Sequence, residues 1–121
     1  MTPHEGTDAG ERAERRALAY LRSRGHTLLA RNYLVRGGEL DLVTRDGDTV
    51  VFTEVRHRAR ATHGTSVESV TPEKLRRVRR AALTWLLREH GRDDVPCRID
   101  VIGILGDPER GELTHVENVT G

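Results

Sequence analysis

The sequence predicts one α/β domain with the element order α-βββ-α-β, in which helices flank a mixed central sheet. Its 121 residues are the usual size of a single domain. Apolar residues recur at helical spacing in two stretches, and runs rich in β-favouring residues lie between and after them. The last dense apolar run, CRIDVIGIL at residues 97–105, is typical of a strand that is buried on both faces.

The chain begins with a polar stretch. Residues 1–9 are polar, so we expect a flexible N-terminal segment and a folded domain over residues 10–121. Residues 10–25 predict the first helix, because small and apolar residues recur at helical spacing until Gly25 ends the pattern. Residues 26–37 predict the first strand, because they are rich in apolar and β-favouring side chains.

The next segment, GELDLVTRDGDTVVFTEVR at residues 38–56, predicts a β-hairpin. Asp46-Gly47 lies between two apolar runs, and Asp-Gly is among the strongest short hairpin signals. A two-residue turn at this dipeptide would pair Arg45 with Asp48 and fix the register of both arms.

The hairpin register decides where the carboxylates of this segment lie. Side chains alternate across a strand, so Glu39 and Asp41 are expected to share one face, and Leu40 and Leu42 the other. The two-residue turn would bring Glu54 to the face of Asp41 as its diagonal neighbour, with Cβ atoms about 7 Å apart. A three-residue loop would put the two carboxylates on opposite faces, and a four-residue loop would set them directly opposite each other.

The second helix is predicted to begin after Thr71. Threonine is a good N-cap, Pro72 suits the first helical position, and Glu73 adds an acidic side chain to the first turn. The pattern runs to about His90 and stops at Gly91. The apolar stripe of this helix comprises Leu75, Val78, Ala82, Trp85 and Leu86.

The remaining segments complete the predicted order. Residues 61–70, ATHGTSVESV, predict a loop between the hairpin and the second helix. The dense apolar strand at residues 97–105 follows that helix. Residues 107–111 predict a turn, and residues 112–119 predict a last, edge strand.

The charges are nearly balanced overall but unevenly distributed. The net charge is +1, which excludes a strong global field for a polyanion, and 19 of the 20 basic residues are arginine. Between Glu54 and Arg80 there are eight basic residues against three glutamates. Arginine binds phosphate well through its planar fork, but a solvated helix face in an arginine-biased sequence would look the same, so composition leaves both explanations open.

The sequence also limits the compartment. Cys97 is the single cysteine, so no intramolecular disulfide can form. No apolar stretch is long enough to span a membrane, and the N-terminus lacks the apolar segment of a signal peptide. We therefore expect a cytoplasmic protein with no membrane partner.

Carboxylates gathered on a hairpin need compensation, because neighbouring like charges destabilise a sheet. One explanation is that they reach solvent or pair with arginine, with Arg36, Arg56 and Arg98 as candidates. The other is that they hold Mg²⁺ or Mn²⁺, hard cations that prefer oxygen ligands. The spacing of the residues alone does not choose between these two explanations.

A resemblance to known families favours the second explanation. The pattern G-E-x-D-x(12)-E-x-R, placed across a hairpin and flanked by helices, resembles the PD-(D/E)xK nuclease core. The chain from about residue 10 to 120 resembles the YraN family, which is similar in fold to archaeal Holliday-junction resolvases. The matching segments are ERRALAYLRSRGHTLLARN (14–32), GELDLVTRDGDTVVFTEVRHR (38–58), VTPEKLRRVRRAA (70–82) and RIDVIGI (98–104). The resemblance implies a restriction-endonuclease-like core for the whole nuclease-like domain.

The resemblance implies a role for each motif residue. Asp41 and Glu54 would bind the metal, the backbone carbonyl of Val55 is a further ligand candidate, and Glu14 on the first helix would point toward the ion. Arg56 would complete the catalytic set at a position where the family usually has lysine. Arginine can stabilise a phosphate but cannot act as a general base, because its pKa is above about 12.

Other residues have less definite roles. Ala13 replaces the glycine that usually precedes the helix glutamate, and we expect little effect. Glu39 is expected to support the metal ligands from close by. Asp100 interrupts an apolar strand, so it needs a partner, which is either Arg98, another arginine or the metal site. His57 and His63 are expected to be surface histidines, because they have no cysteine partner and no tight spacing.

The expected partner is nucleic acid, with DNA preferred over RNA. The backbone-contact candidates are Arg36, Arg58, Lys74, Arg76, Arg77 and Arg80. No aromatic pattern suggests base stacking, so we expect recognition of the backbone or of DNA shape. The sequence leaves a homodimer open.

Three hypotheses follow. The first is a metal-dependent DNA endonuclease that hydrolyses phosphodiester bonds, with branched or flapped DNA among its substrates. The alternative is a nuclease fold that has lost catalysis and binds nucleic acid as an accessory module, which the arginine at position 56 keeps open. The third and weakest is a protein-interaction domain.

Overall fold

The computed structural model describes residues 8–60, 67 and 70–120. Within these ranges it has two α-helices and five strands, and their order confirms the predicted α-βββ-α-β core with an added edge strand. The elements are α1 Asp8–Ser23, β1 Thr27–Val35, β2 Gly38–Asp46, β3 Thr49–Arg58, α2 Pro72–Trp85 with a π-helical extension Leu86–His90, β4 Cys97–Leu105 and β5 Glu112–Val116.

The five strands form one mixed sheet in the order β1-β2-β3-β4-β5. Strands β1, β2 and β3 are joined by tight turns and run antiparallel. Strand β4 is parallel to β3, which requires a crossover, and α2 lies in that crossover. Strand β5 is antiparallel to β4 at the edge. The predicted mixed sheet is therefore confirmed.

The two helices bury opposite faces of the sheet. The cluster on the α2 face includes Val43, Phe52, Val78, Trp85 and Ile99. The cluster on the α1 face includes Ala17, Leu21, Leu42, Ile102 and Ile104. Strand β4 contributes to both clusters, which confirms that it is buried on both faces.

Helix α2 has the ends that the sequence predicts. The Thr71 side chain accepts a hydrogen bond from the Lys74 N–H at 3.3 Å, and Pro72 is the first helical residue. Gly91, with φ of 81°, ends the π-helical extension in the left-handed conformation that glycine favours. Trp85 is buried, as expected, and contacts Phe52 edge to face at a centroid distance of 5.9 Å.

Helix α1 begins earlier than the sequence suggests. Asp8 and Ala9 are helical, so the predicted flexible segment is too long by these two residues. Residues 1–7 and 121 lie outside the described residues, and so do 61–66, 68 and 69. The predictions for the N-terminal segment, for most of the 61–70 loop and for His63 therefore stay predictions.

The hairpin turn differs from the prediction. Asp46 pairs with Thr49, so the loop residues are Gly47 and Asp48 rather than Asp46 and Gly47. Gly47 has φ of 61° at the first loop position, as a type II′ turn requires. The predicted pairing of Arg45 with Asp48 is therefore wrong, although the predicted loop length of two residues is right.

The corrected register changes which residues lie opposite each other. The observed pairs run from the turn to Leu42 opposite Thr53. Continued by one residue, this register sets Asp41 directly opposite Glu54 rather than diagonal to it. A four-residue loop would give the same pairing. The register moved by an even number of residues, which in a regular strand leaves every side chain on its predicted face.

A kink near Asp41 breaks the predicted alternation along β2. Leu42 packs against α1, but Leu40 packs with Val43 in the α2 cluster, so Leu40 and Leu42 do not share a face. On β1, the residue between the pairs Arg31–Leu42 and Tyr33–Leu40 is Asn32, which has φ of 51°. The two strands are irregular at the same level, and Asp41 lies at that level.

In the described part of the chain, no helix combines the length and the apolar character that crossing a bilayer would need.

The packing of α2 on the sheet gives the first prediction. Phe52 is 1% exposed, and truncation should leave a cavity under α2. We expect Phe52→Ala to lower the free energy of unfolding by about 3–5 kcal/mol, as measured by urea denaturation. Leu34→Ala is the control, because Leu34 is 72% exposed. Equal losses in the two variants would contradict this description of the core.

Candidate active site

The predicted site residues meet at the ends of β2 and β3, between the first turns of the two helices. Asp41 and Arg56 line two neighbouring cavities there, of about 340 Å³ and about 260 Å³. The larger cavity is on the α1 side and is also lined by Glu11, Glu14, Asn32, Glu39 and Val55. The smaller one is on the α2 side and is also lined by Glu39, Glu54, Lys74, Arg77 and Val78.

Asp41 takes the place of a missing backbone acceptor. Its Oδ2 accepts a hydrogen bond from the Val55 N–H at 2.9 Å, just beyond the last observed pair between β2 and β3. Burial raises the pKa of the Asp41 carboxyl, although the bond from Val55 and the charge of Arg56 act against that rise. Where β2 and β3 separate, the backbone of β3 therefore holds one carboxyl oxygen of Asp41, and the carboxyl is partly buried.

Glu54 is the most perturbed carboxyl of the site. Its side chain is 7% exposed, and burial, followed by the charge of Asp41, raises its pKa to about 8. Each of the two carboxyls acts on the other, which works to lower the pKa of Asp41 and to raise the pKa of Glu54. With a pKa of about 8, Glu54 is therefore mostly protonated at neutral pH when no cation is bound.

Arg56 compensates the pair only in part. Its Nη2 donates a hydrogen bond to Glu54 Oε1 at 2.9 Å, so pairing with arginine, one of the two explanations left open by the sequence, does occur. The pKa of Glu54 nevertheless stays far above its usual range. Arg56 Nε is buried and has no hydrogen-bond partner among the described residues. One guanidinium thus leaves excess negative charge and an unused donor at the site.

Glu14 lies on the α1 side of the pair. It is half-buried, and its Oε1 has no hydrogen-bond partner in the described part of the chain. Burial and then the charge of Asp41 raise its pKa to about 7, while Arg31 and a hydrogen bond with Asn32 act against the rise. Glu14 therefore shares the cavity and the electrostatic field of Asp41, next to which the family resemblance would place it.

Glu39 and Asp100 have different positions. Glu39 is exposed, lines both cavities, and its charge contributes to the raised pKa of Glu54 and of Glu14. Asp100 is fully buried elsewhere on the sheet, on the face of α1.

The partners of Asp100 are now defined. It accepts hydrogen bonds from Arg98 Nε at 3.0 Å and from the Asn118 N–H at 3.0 Å, and it bonds His115 Nε2 at 2.8 Å. Pairing with Arg98 was one of the alternatives considered for Asp100. These bonds form a polar network that ties β4 to β5, and Asp100 lines neither of the two cavities.

Only part of the predicted basic set reaches the cavities. Lys74 and Arg77 line the smaller cavity, and Arg77 also forms an ion pair with Glu73 at 2.9 Å. Neither cavity is lined by Arg36, Arg58, Arg76 or Arg80, of which Arg58 is half-buried and the others are exposed.

The histidine near the site is held by the backbone. His57 Nε2 hydrogen-bonds the Gly106 carbonyl at 2.7 Å, although its side chain also lines the larger cavity.

Across the described ranges, no group of three or more His, Cys, Asp or Glu side chains is placed to hold a metal ion.

Sequence reasoning missed Asn32. This residue lines the larger cavity beside Glu14 and has a left-handed backbone. The available signal was a single asparagine inside an otherwise apolar strand, because asparagine is the residue other than glycine that most readily takes this conformation.

The raised pKa of Glu54 gives a pH-dependent stability. The folded state keeps its proton up to about pH 8, whereas an unfolded glutamate loses it near pH 4.3, so stability is lost as the pH rises through this window. We expect the Tm in EDTA to fall between pH 5 and pH 8, and to fall less in Glu54→Gln. Glu112→Gln, on the exposed edge strand, is the control. Parallel curves for wild type and Glu54→Gln would contradict this account.

Comparison with known proteins identifies the family. The chain matches the family described as uncharacterised protein family UPF0102 over residues 13–104. A UPF0102 protein of Deinococcus radiodurans is 52% identical over 109 residues, which cover 89% of each chain. UPF0102 proteins of Nitrosococcus oceani and Pseudomonas putida are 43% and 46% identical, over 88% and 92% of this chain and 86% and 90% of their own length. This is the YraN-like family that the motifs indicated. The chain belongs to the uncharacterised protein family UPF0102.

Proposed function

We propose that this protein is a Mg²⁺- or Mn²⁺-dependent DNA endonuclease of the PD-(D/E)xK type. One observation carries the proposal, namely the neighbouring carboxyls of half-buried Asp41 and buried Glu54, which line one open cavity together, while Asp41 also lines a second. Buried like charges of this kind cluster at functional sites, because they are costly for stability alone. The cytoplasmic location stays a prediction.

The chemistry of the donors fits a hard divalent cation. Asp41, Glu54 and the Val55 carbonyl offer oxygen only, and Glu14 has an oxygen without a partner in the described structure. Mg²⁺ usually keeps several waters and binds through one or two carboxylates plus substrate phosphates, so it does not need a larger protein cluster. When bound, the ion would lower the pKa of a water and stabilise charge on the phosphoryl oxygens.

The residues of the chain supply the rest of the chemistry. Asp41 is held by Val55, so one carboxylate oxygen is fixed and the other can bind the ion. Arg56 can donate its unused Nε–H to a phosphate oxygen, and its charge stabilises the transition state. It cannot remove a proton from water. Glu14, which lines the same cavity as Asp41, is a carboxylate that can take that proton.

The charges around the pair suggest how DNA would approach. The α1 side of the site carries Glu11 and Glu14, whereas the α2 side carries Lys74 and Arg77. A phosphodiester backbone would be attracted to the α2 side and would reach the carboxyl pair from there. The exposed arginines of α2 would contact neighbouring phosphates. Branched or flapped DNA could then be recognised through its backbone alone, without contacts to the bases.

A second candidate rests on the Arg56–Glu54 ion pair. The 2.9 Å bond occupies one oxygen of a proposed metal ligand, and the guanidinium offsets part of the charge that an ion would neutralise. A nuclease fold that has exchanged catalysis for nucleic-acid binding would show this arrangement.

Cleavage tests the first candidate directly. We expect wild type to cut at least one substrate from a panel of linear, flapped and four-way-junction DNA in Mg²⁺ or Mn²⁺, and none in EDTA. Asp41→Asn and Glu54→Gln, which preserve shape, should lower the rate by at least about 100-fold, because each removes a metal ligand. The rate is measured on labelled DNA in gels.

The matched control is Glu112→Gln, which removes a carboxylate far along the sheet edge. Cutting that survives in an Asp41→Asn, Glu54→Gln double variant would rule out this site as its source.

Position 56 separates the two candidates. If the protein is an endonuclease that uses the guanidinium, Arg56→Gln should abolish cleavage and Arg56→Lys should retain part of it, because a positive charge is kept. In an accessory module, wild type does not cut, and both variants bind DNA without cutting. Single-turnover rates and DNA affinity are measured for the same three proteins.

Backbone contacts can be counted from salt dependence. Lys74→Gln and Arg77→Gln should each reduce the slope of log affinity against log salt by about 0.9, the value for one phosphate contact. Arg22→Gln, at the last turn of α1, is the control and should leave the slope unchanged. Unchanged slopes in all three variants would exclude the α2 side as the DNA-binding face.

A further inference from the structure

We propose that Asn32 is a positioning residue of this site, which holds the Glu14 carboxyl toward Asp41 and sets the kink that aims Asp41 into the cavity. This inference rests on the proposed function, because it assumes that the site binds a cation. Asn32 itself is not part of the G-E-x-D-x(12)-E-x-R pattern.

The backbone of Asn32 is in an unusual conformation inside a strand. Its φ of 51° is left-handed, a region that most side chains avoid and that asparagine tolerates. Strain of this kind persists only where the surrounding structure imposes it, and it clusters at functional sites. Asn32 is half-buried, so neither a chain terminus nor an exposed loop explains it.

The unusual backbone lies directly across from Asp41. The pairing of β1 and β2 continues with the same register on both sides of these two residues, at Arg31–Leu42 and at Tyr33–Leu40. Ala30 and Tyr33 nevertheless both pack against the α2 cluster, although they are three positions apart and would lie on opposite faces of a regular strand. A turn of the β1 backbone at Asn32 accounts for this change of face, and β2 follows it at Asp41.

The side chain of Asn32 faces the reacting region. It lines the larger cavity together with Glu14 and Asp41, and it acts to lower the pKa of the Glu14 carboxyl. Glu14 Oε1 is buried and has no hydrogen-bond partner in the described residues, so an amide beside this carboxyl can orient it without occupying that oxygen. Groups that orient a ligand in this way typically change metal affinity by 10–100-fold when they are removed.

Two glycine variants separate the side chain from the backbone. Asn32→Gly keeps a positive φ without strain but loses the amide. Asn118→Gly makes the same change at Asn118, with φ of 52°, whose backbone N–H bonds Asp100 far from the cavities. If Asn32→Gly fails to fold, Asn32→Asp replaces it, because aspartate also tolerates this conformation but cannot donate a hydrogen bond as a carboxylate.

The experiment has two readouts on the full-length protein. The first is the ¹³C carboxyl signal of Glu14 in EDTA, and the second is the Kd for Mn²⁺ alone, measured by calorimetry. We expect Asn32→Gly to shift the Glu14 signal and to weaken Mn²⁺ binding by about 10-fold or more, with Asn118→Gly like wild type in both.

The two readouts distinguish the positioning role from the proposed function. An unmoved Glu14 signal overturns the positioning role, and so does an unchanged Kd in a protein that binds Mn²⁺. If wild type binds no Mn²⁺, the proposed function fails, and the Glu14 signal alone decides the role of Asn32.

Discussion

The structure depends on one unfavourable interaction, the burial of two neighbouring carboxyls where β2 and β3 separate. Asp41 and Glu54 lie side by side in a place that excludes most water, and the pKa of both groups is raised. A bound proton and the Arg56 guanidinium relieve the repulsion only in part. A divalent cation would relieve it more fully, and under the proposed function the interaction that costs stability would serve to bind that cation.

The fold brings this pair within reach of both helices. Helix α1 packs on one face of the sheet and adds Glu14, whereas α2 packs on the other face and adds Lys74 and Arg77. Acidic groups therefore gather on one side of the pair and basic groups on the other. The kink at Asn32 and Asp41 gives Asp41 access to the α1 side, because a regular strand would have kept Asp41 in the alternating pattern of β2.

Local signals in the sequence predicted the elements and the caps of α2. The register could not be predicted, because Asp46-Gly47-Asp48 permits glycine at either loop position, and both choices give a two-residue turn. The kink depends on the position of Asn32 across from Asp41 on the neighbouring strand. The periodicity of apolar residues along the sequence does not show which residues lie opposite each other. Two partners of Asp100, His115 and Asn118, come from β5 and the segment after it, so only the assembled sheet shows that Asp100 lies outside the site.

The measurement that most directly tests the central claim is the proton release that accompanies Mn²⁺ binding. Calorimetric titration at pH 7.5 in two buffers of different ionisation enthalpy gives the number of protons released per ion. Metal binding requires ionised carboxylates, so the raised pKa of Glu54 predicts release of roughly one proton per Mn²⁺, and much less in Glu54→Gln. Binding without proton release, or equal release in the variant, would contradict the assignment of the Asp41–Glu54 pair as the metal site.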